Sequence, residues 1–486
     1  MIRGLGLAVD PRQSRAASTA LRSGNTKVLS SGFNSPAGQA PLKIAVIGQG
    51  IAGMSAAWLL SQGHRVTVYE AERRFGGHSL TVDAPSAAGS TPVDMGFIVY
   101  NEANYPNLTA LFHHLEVPTA FTDMSFGVSL DDGDLEYAST DLFTLFAQRR
   151  NLLRPRFWSM LSDVVRFSRQ APSHACALDA SMTSLGEYLG AAGYGQPFQD
   201  DHILPQAAAI WSASVEAVRE LPAAAFIRFF ENHGLLKILD KPLWRTVVGG
   251  SRQYVSRLTA SVRAGARLGC AATRIERTAG GVLVRDESGH VERYDQVVLA
   301  CHADQGLRLL AQPTPAQEAI VGAFSYTRNV AVLHSDPSFM PKRRKAWSSW
   351  NYLGDSAPDG RRRLCVTYWM NLLQDLPHET PLFVTLNPVR DVDPTRIIRT
   401  EEFDHPLFDA AALKAQKKLW SVQGEDGIWW CGAYAGAGFH EDGLQSGLAV
   451  AEALGGARRP WTVANESGRI YLGETAQAAP LLGQVA

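Results

Sequence analysis

The sequence predicts an α/β chain: a Rossmann-type parallel sheet assembled from separated stretches, with an α+β region inserted between them. Three observations predict it. A strand, a glycine turn, a helix and a second strand occupy Lys43 to Glu70. Apolar strand-like segments return near Trp244, Gln296 and Ile428, the first and last leading into glycines. The stretches between them change period, first helical and then strand-like.

The opening unit starts with the apolar run Ile44 to Ile47, passes through Gly48-Gln49-Gly50-Ile51-Ala52-Gly53 into a helix to about Gln62, and closes with a strand ending at Glu70. A dinucleotide pyrophosphate requires this order and spacing. Gly48 makes the tight turn, Gly50 lets the backbone approach the phosphates, and Gly53 lets the helix pack on the strand. The helix start, at Ile51 and Ala52, turns free N–H groups toward the phosphates. Glu70 stands where a carboxylate accepts both hydroxyls of the adenosine ribose, which argues against a 2′-phosphate.

Past Glu70 come Ala71, Arg73 and Arg74, then the pair Gly76-Gly77 and His78. This run resembles the GG motif of flavoproteins in the amine oxidase and phytoene desaturase superfamily. The resemblance implies FAD rather than NAD in a glutathione-reductase-like domain, with Ala71, Arg74, Gly76, Gly77 and His78 along the pyrophosphate. The family usually has Arg where His78 stands, so backbone amides and Arg73 or Arg74 are expected to supply the phosphate contacts.

With 486 residues, 45% of them hydrophobic, the chain can bury two to three domains' worth of core. A formal net charge of −1 leaves no overall field to attract nucleic acid. The five cysteines form no CxxC and no metal-ligand spacing, so buried thiols in a reducing, cytoplasmic setting and no metal are expected. No apolar run reaches the length of a membrane span. Residues 1–40 are basic, rich in Ser and poor in acid, which fits an organellar targeting peptide or a disordered leader.

Val93 to Tyr100 reads as a strand, and its Asp94-Met95-Gly96 resembles the superfamily's D-x-G, which implies Gly96, Phe97 and Ile98 along the flavin. A helix is expected from Asn104 to Leu115. From Val117 to about Trp244, hairpin signals at Phe126 to Tyr137 give way to helices, the expected substrate or cap region. Within it, Arg149 to Arg169 interleaves arginines with Leu, Phe, Trp, Met and Val. Such a stretch suits either peripheral contact with an anionic membrane or a cap helix with a solvated charged face. Trp244 to Tyr254 then resembles the return into the FAD domain. Strands are expected at Ala272 to Arg277, Gly281 to Asp286 and Gln296 to Ala300. The aromatics Trp347, Trp350, Tyr352, Tyr368 and Trp369 belong either to the wall of an apolar pocket or to plain sheet core. Finally, Ile428 to Leu454 resembles the superfamily's last FAD fingerprint: a strand delivers Gly432, and a helix is expected to begin near Asp442-Gly443. The N–H groups of Gly443, Leu444 and Gln445 would then stabilise charge at the flavin's pyrimidine edge.

The implied domains are a leader at 1–40, FAD-binding parts at 41–116, 245–312 and 420–456, a helical substrate region at 117–244, a substrate-domain sheet at 313–419 and a tail at 457–486. GGHSLT, the AIWS at 209–212, WSSWNY at 347–352 and GFHEDGLQSG at 438–447 also resemble flavoproteins that accompany cyclopropane-fatty-acyl-phospholipid synthases. That resemblance implies a fatty acyl substrate in a phospholipid, dehydrogenated by hydride transfer to flavin N5. A flavin amine oxidase is the alternative, and an FAD-binding scaffold for a lipid methyltransferase is an alternative of another class. Asn329 aligns with the Lys that amine oxidases hold near flavin N5, which weakens the amine reading. Noncovalent FAD is expected. For the proton, His440 and Glu441 are the candidate bases and Tyr368 a weaker one. His440 could equally cap a helix or bond the cofactor, and Glu441 could serve a helix terminus.

Overall fold

A computed structural model describes residues 40–473 apart from 87–88, 182, 212–213, 233, 238–241 and 357–361. The leader and most of the tail therefore lie outside the described residues, as does Ser212 of the AIWS stretch.

Five parallel strands form the central sheet in the order Ala266–Leu268, Arg65–Glu70, Lys43–Ile47, Gln296–Leu299 and Ile428–Trp430. The sheet thus draws on three distant parts of the chain. Lys43–Ile47 pairs on both sides, with Ile44 opposite Val66 and Gln296, and its unbroken apolar run suits a strand covered on both faces. The helix Ile51–Leu60 buries all ten of its residues. It is held between this sheet and the closing helix His440–Ala453, where Gly447 comes so near that an added Cβ would sit 2.2 Å from the Ala52 carbonyl oxygen. Beside the sheet, Ala272–Thr278, Gly281–Asp286 and Val291–Tyr294 form an antiparallel triplet; the third of these strands lacked a sequence signal strong enough to separate it from Gln296–Leu299.

The stretch read as one strand from Val93 to Tyr100 is broken. Gly89–Asp94 pairs with Thr81–Ser86, the chain turns through Met95 to Ile98, and pairing resumes at Val99–Asn101 against Trp244–Val247. The break has a local cause: the Phe97 N–H donates to the His78 carbonyl (2.9 Å), diverting the chain toward the glycine pair.

The second sheet has seven strands, in the order Ile397–Leu407, Ser325–His334, Phe383–Leu386, Arg362–Trp369, Trp350–Ser356, Phe126–Leu130 and Leu135–Ala138. The hairpin of residues 126–138 therefore joins a sheet made mostly from residues 325–407. One pairing is parallel, Trp350–Ser356 with Phe126–Leu130, and the rest are antiparallel. A helical cluster centred on Phe167, Phe198, Phe226 and Phe230 completes the chain between them. Among the described residues no helix is long and apolar enough to cross a membrane, and no cluster of side chains could hold a metal.

Candidate functional site

The glycine turn is built as a cradle. Gly48 has φ +92° and donates its N–H to the Tyr69 carbonyl (2.8 Å), and a Cβ there would press within 2.8 Å of the Cys301 backbone nitrogen. Gly53 has no room either, since its Cβ would lie 1.9 Å from the Gly48 carbonyl oxygen. Gly50 differs. Nothing lies within 4 Å of a Cβ built on it, and it precedes the helix start at Ile51 and Ala52 in extended conformation with no side-chain cap. The first helical turn carries no acidic residue, so its N–H groups face an open space suited to an anion.

The second glycine pair closes over that turn. The Gly76 N–H donates to the Gln49 carbonyl (2.9 Å), and a Cβ on Gly77, at φ +54°, would lie 3.0 Å from the Gly50 Cα. Arg74 donates to the Gly77 carbonyl (2.9 Å) and pairs with Glu72, so its guanidinium braces the loop. Ala71 stands exposed just past the strand end. Glu70 accepts from the N–H groups of Gln49 (2.7 Å) and Glu72 (2.9 Å), which leaves lone pairs on both oxygens for a ribose. Burial raises its pKa. The Gln49 Oε1 is buried without a partner at the same place. The open cradle, the free donors, the strand-end carboxylate and the orphaned acceptor together fit the adenosine diphosphate half of FAD.

Around His78 the geometry becomes side-chain chemistry. Gly96 lies against the His78 carbonyl so tightly that a Cβ would be 2.0 Å from its oxygen. The Phe97 ring stacks on His440 at 3.8 Å between centroids, and the Ile98 carbonyl accepts from Thr246 (2.9 Å). The His440 Nε2 lies 2.7 Å from the Tyr254 hydroxyl and 3.1 Å from Ser79 Oγ, and those two hydroxyls also bond one another. Burial pushes the imidazole pKa down to about 3, so His440 is neutral at pH 7. On the other side of His78 lie Phe403 at 4.9 Å, His405 at 5.4 Å and His302 at 6.2 Å. Burial holds His78 well below the usual range, with His405, His302 and His440 adding repulsion. His405 is pushed to about 4 by burial and by His302. Its Nδ1 is 3.1 Å from Asn329 Nδ2, while Asn329 Oδ1 accepts from Asn387 (2.8 Å).

His405 had no signal in the sequence, while Ser79, Tyr254 and His302 were visible only as members of the GGHSLT, Trp244 to Tyr254 and adenine-side segments, with no role assigned. Asp94, read only as part of D-x-G, fastens three segments: it accepts from Thr81 Oγ1 (2.6 Å), the Ser251 N–H (2.9 Å), Ser251 Oγ (2.8 Å) and Gln374 (3.0 Å). Burial raises its pKa to about 6 against those bonds.

The closing helix departs from expectation. It begins at His440, not near Asp442-Gly443, because the Asp442 carboxylate reaches back to the Phe439 N–H (2.7 Å) and starts the turn early. The Gly443 N–H donates to the Phe439 carbonyl (3.1 Å), and Leu444 and Gln445 lie further inside the helix, so these amides are committed and the first-turn donors are those of His440 and Glu441. Gly443 instead gives close packing, its Cβ position being 2.8 Å from Ile51 Cγ2. Glu441 is wholly buried. It accepts from the Asn107 N–H (3.0 Å), Asn107 Nδ2 (2.9 Å), the Leu108 N–H (2.9 Å) and Gln445 Nε2 (2.9 Å). It therefore caps the neighbouring helix Pro106–His114. Gly432 donates to Ser446 Oγ (3.2 Å) and ties the last strand to this helix. Tyr368 lies in the seven-stranded sheet edge-on to Trp350 (4.8 Å), in the apolar core that also takes in Leu80, Met95 and Ile98. Burial raises its pKa further above the ordinary tyrosine value.

A family model for flavin containing amine oxidoreductases matches residues 51–382. Among curated sequences, one from Mycobacterium tuberculosis named "Putative flavin-containing monoamine oxidase AofH" is 28% identical over 260 residues, 51% of this chain and 54% of its own. The chain thus spans about half the length of the curated relatives it matches. Among solved structures, a fatty acid isomerase from P. acnes superposes with a TM-score of 0.60 at 16% identity, over 85% of this chain and 98% of that one. Cyclohexylamine oxidase from Brevibacterium oxydans gives 0.60 at 17% identity over 85% and 100%. At such identities the likeness is one of fold.

Proposed function

Because the chain belongs to the family of flavin containing amine oxidoreductases, we propose that it is an FAD-dependent oxidoreductase that removes two hydrogens from an apolar substrate, a fatty acyl chain of a phospholipid. Bound FAD supplies the hydride acceptor. Gly50, Ile51, Ala52 and Glu70 hold the adenosine diphosphate half, and the Gly76-Gly77 pair and Gly96 bring the backbone close to the remainder. The observation that carries the acyl reading is the composition of the wall beside His78. It combines a hydrocarbon core of Leu80, Met95, Ile98 and Tyr368 with imidazoles kept neutral by burial, and Asn329 in the position aligned with a lysine. Dry, largely uncharged surroundings of this kind suit a hydrocarbon chain. His440 Nε2, within reach of Tyr254 and Ser79, is the group to which we assign the proton released. Burial keeps it unprotonated at pH 7.

The likeness to AofH favours a second reading, amine oxidation. An anaerobic spectrum of the flavin-bearing protein separates the two. Loss of the oxidised band near roughly 450 nm with unsaturated or saturated phospholipid, and not with amines, is the expected result. Bleaching by amines alone would sink the acyl reading.

A further inference from the structure

The surface that begins at residue 142 is unlike the rest of the exterior. The four-residue helix Leu142–Leu145 buries none of its residues, and Phe143 and Leu153 are 88% and 87% exposed. Leu142 is also exposed, and Leu152 and Trp158 are half exposed. The backbone beneath them and the Trp158 ring are fixed by local contacts. Trp158 Nε1 donates to the Leu152 carbonyl (2.9 Å), its ring packs on Phe146 (5.6 Å), and Asp141 caps the short helix through the Thr144 N–H (2.8 Å). Beside them runs a groove of about 580 Å³ between residues 147–150 and 343–345. Its cations divide into two sets. Arg150 pairs with Asp134 and Arg343 with Glu136. Arg149, Arg344 and Lys345 are exposed, and among the described residues no carboxylate comes within ion-pair distance of any of them.

We propose that this face docks the protein on an anionic phospholipid bilayer, with Phe143, Leu153 and Trp158 entering the acyl boundary and Arg149, Arg344 and Lys345 meeting lipid phosphates. Exposed aromatic and aliphatic tips beside cations without a carboxylate partner, Arg344 lying over the Trp347 ring (4.3 Å), are the combination that an anionic interface attracts, apolar burial and charge each contributing. The face differs from the Arg149–Arg169 stretch visible in the sequence, because Arg156 and Arg166 are already paired with Asp201 and Asp163. It gains instead the segment from Arg343 to Lys345, brought in by the second sheet. The proposal stands apart from the acyl reading, since docking is read without turnover.

The test is co-sedimentation of the full, flavin-bearing chain with vesicles of phosphatidylcholine alone or with phosphatidylglycerol added. The expected result is binding only to the anionic vesicles, weakened by salt. The triple change Arg149→Glu, Arg344→Glu and Lys345→Glu should lower partitioning by about two orders of magnitude, and Phe143→Ser with Leu153→Ser should abolish it, with flavin content unchanged. As a second readout, the emission lost in Trp158→Phe should be quenched by brominated phosphatidylglycerol in the unaltered protein. Equal binding to both vesicle types, binding indifferent to both sets of changes, or no quenching would overturn the proposal. Self-association without vesicles, removed by the Phe143 and Leu153 changes, would assign the face to a second copy of the chain instead.

Discussion

In the parallel sheet the glycine cradle is held by backbone: Gly48, Gly50, Gly53 and the Gly76-Gly77 pair act through what they lack, and they lie within one short run of sequence. In the seven-stranded sheet and its neighbours they are held by side chains. His405 meets Asn329 only because Ile397–Leu407 pairs in register with Ser325–His334, and Asp94 is placed by Thr81, Ser251 and Gln374. The first arrangement tolerates no added atoms. The second tolerates no unpaired protons.

That difference can be tested where the two regions meet. The largest effect is expected from pH. His78, His302, His405 and His440 all have native pKa values below the ordinary 6.5, so the unfolded chain binds more protons as pH falls beneath that value. Stability is then fully present above about pH 6.5 and is lost toward pH 4, by about 1.4 kcal/mol per pH unit for each histidine. Asp94, Glu70 and Glu441 oppose this, because burial raises their carboxyl pKa values and ionising them as pH rises costs stability, while buried His334, pushed down to about 4, adds to the histidine side. Denaturant unfolding between pH 7 and 5 measures the net slope, and a flat profile would break the comparison.

Gly53→Ala comes next. A Cβ at 1.9 Å from a carbonyl must push the helix off the strand, at a cost of about 3 kcal/mol and with loss of flavin; a flavin-retaining variant of unchanged stability would show the contact to be relaxed. Glu441→Gln should cost about 2 kcal/mol, because an amide cannot accept at both oxygens from Asn107 and Leu108. The rate of flavin reduction per bound flavin should persist in that variant, and its collapse with stability intact would return Glu441 to the chemistry. The smallest effect is expected at Phe143→Ser, which should move the unfolding midpoint by no more than about 0.5 kcal/mol, since nothing is packed on that ring.

Legibility in the sequence followed the same divide. Gly48 to His78 could be read because the strand, glycine turn, helix and strand-end carboxylate follow one another at a fixed spacing, even though some of their contacts, such as Gly48 with Cys301, are distant. The start of the closing helix was misplaced by two to three residues for a related reason: Gly443 reads as a helix opening, but Asp442 reaching back to the Phe439 N–H decides where the turn begins. His405 carries no local motif, and the segment that ends at Tyr254 gave that tyrosine no role. Their neighbours come from strand register and from a helix docked beside Ser79, neither of which a one-dimensional pattern records. Glu441 was visible as a helix-terminus residue, yet the helix it caps is Pro106–His114, not its own.

The parallel sheet takes its last strand from Ile428–Trp430, and the helix Ile51–Leu60, buried on every side, is covered only when His440–Ala453 arrives. On the ribosome this sets a delay. The 380 residues from Leu60 to His440 take roughly 20 to 80 s to synthesise at about 5–20 residues per second. Throughout that interval an apolar segment near the N-terminus has emerged without its final cover. Chain production should therefore depend on chaperones that hold nascent hydrophobic segments, and a protein released before its closing helix should aggregate even though most of its residues have already been made.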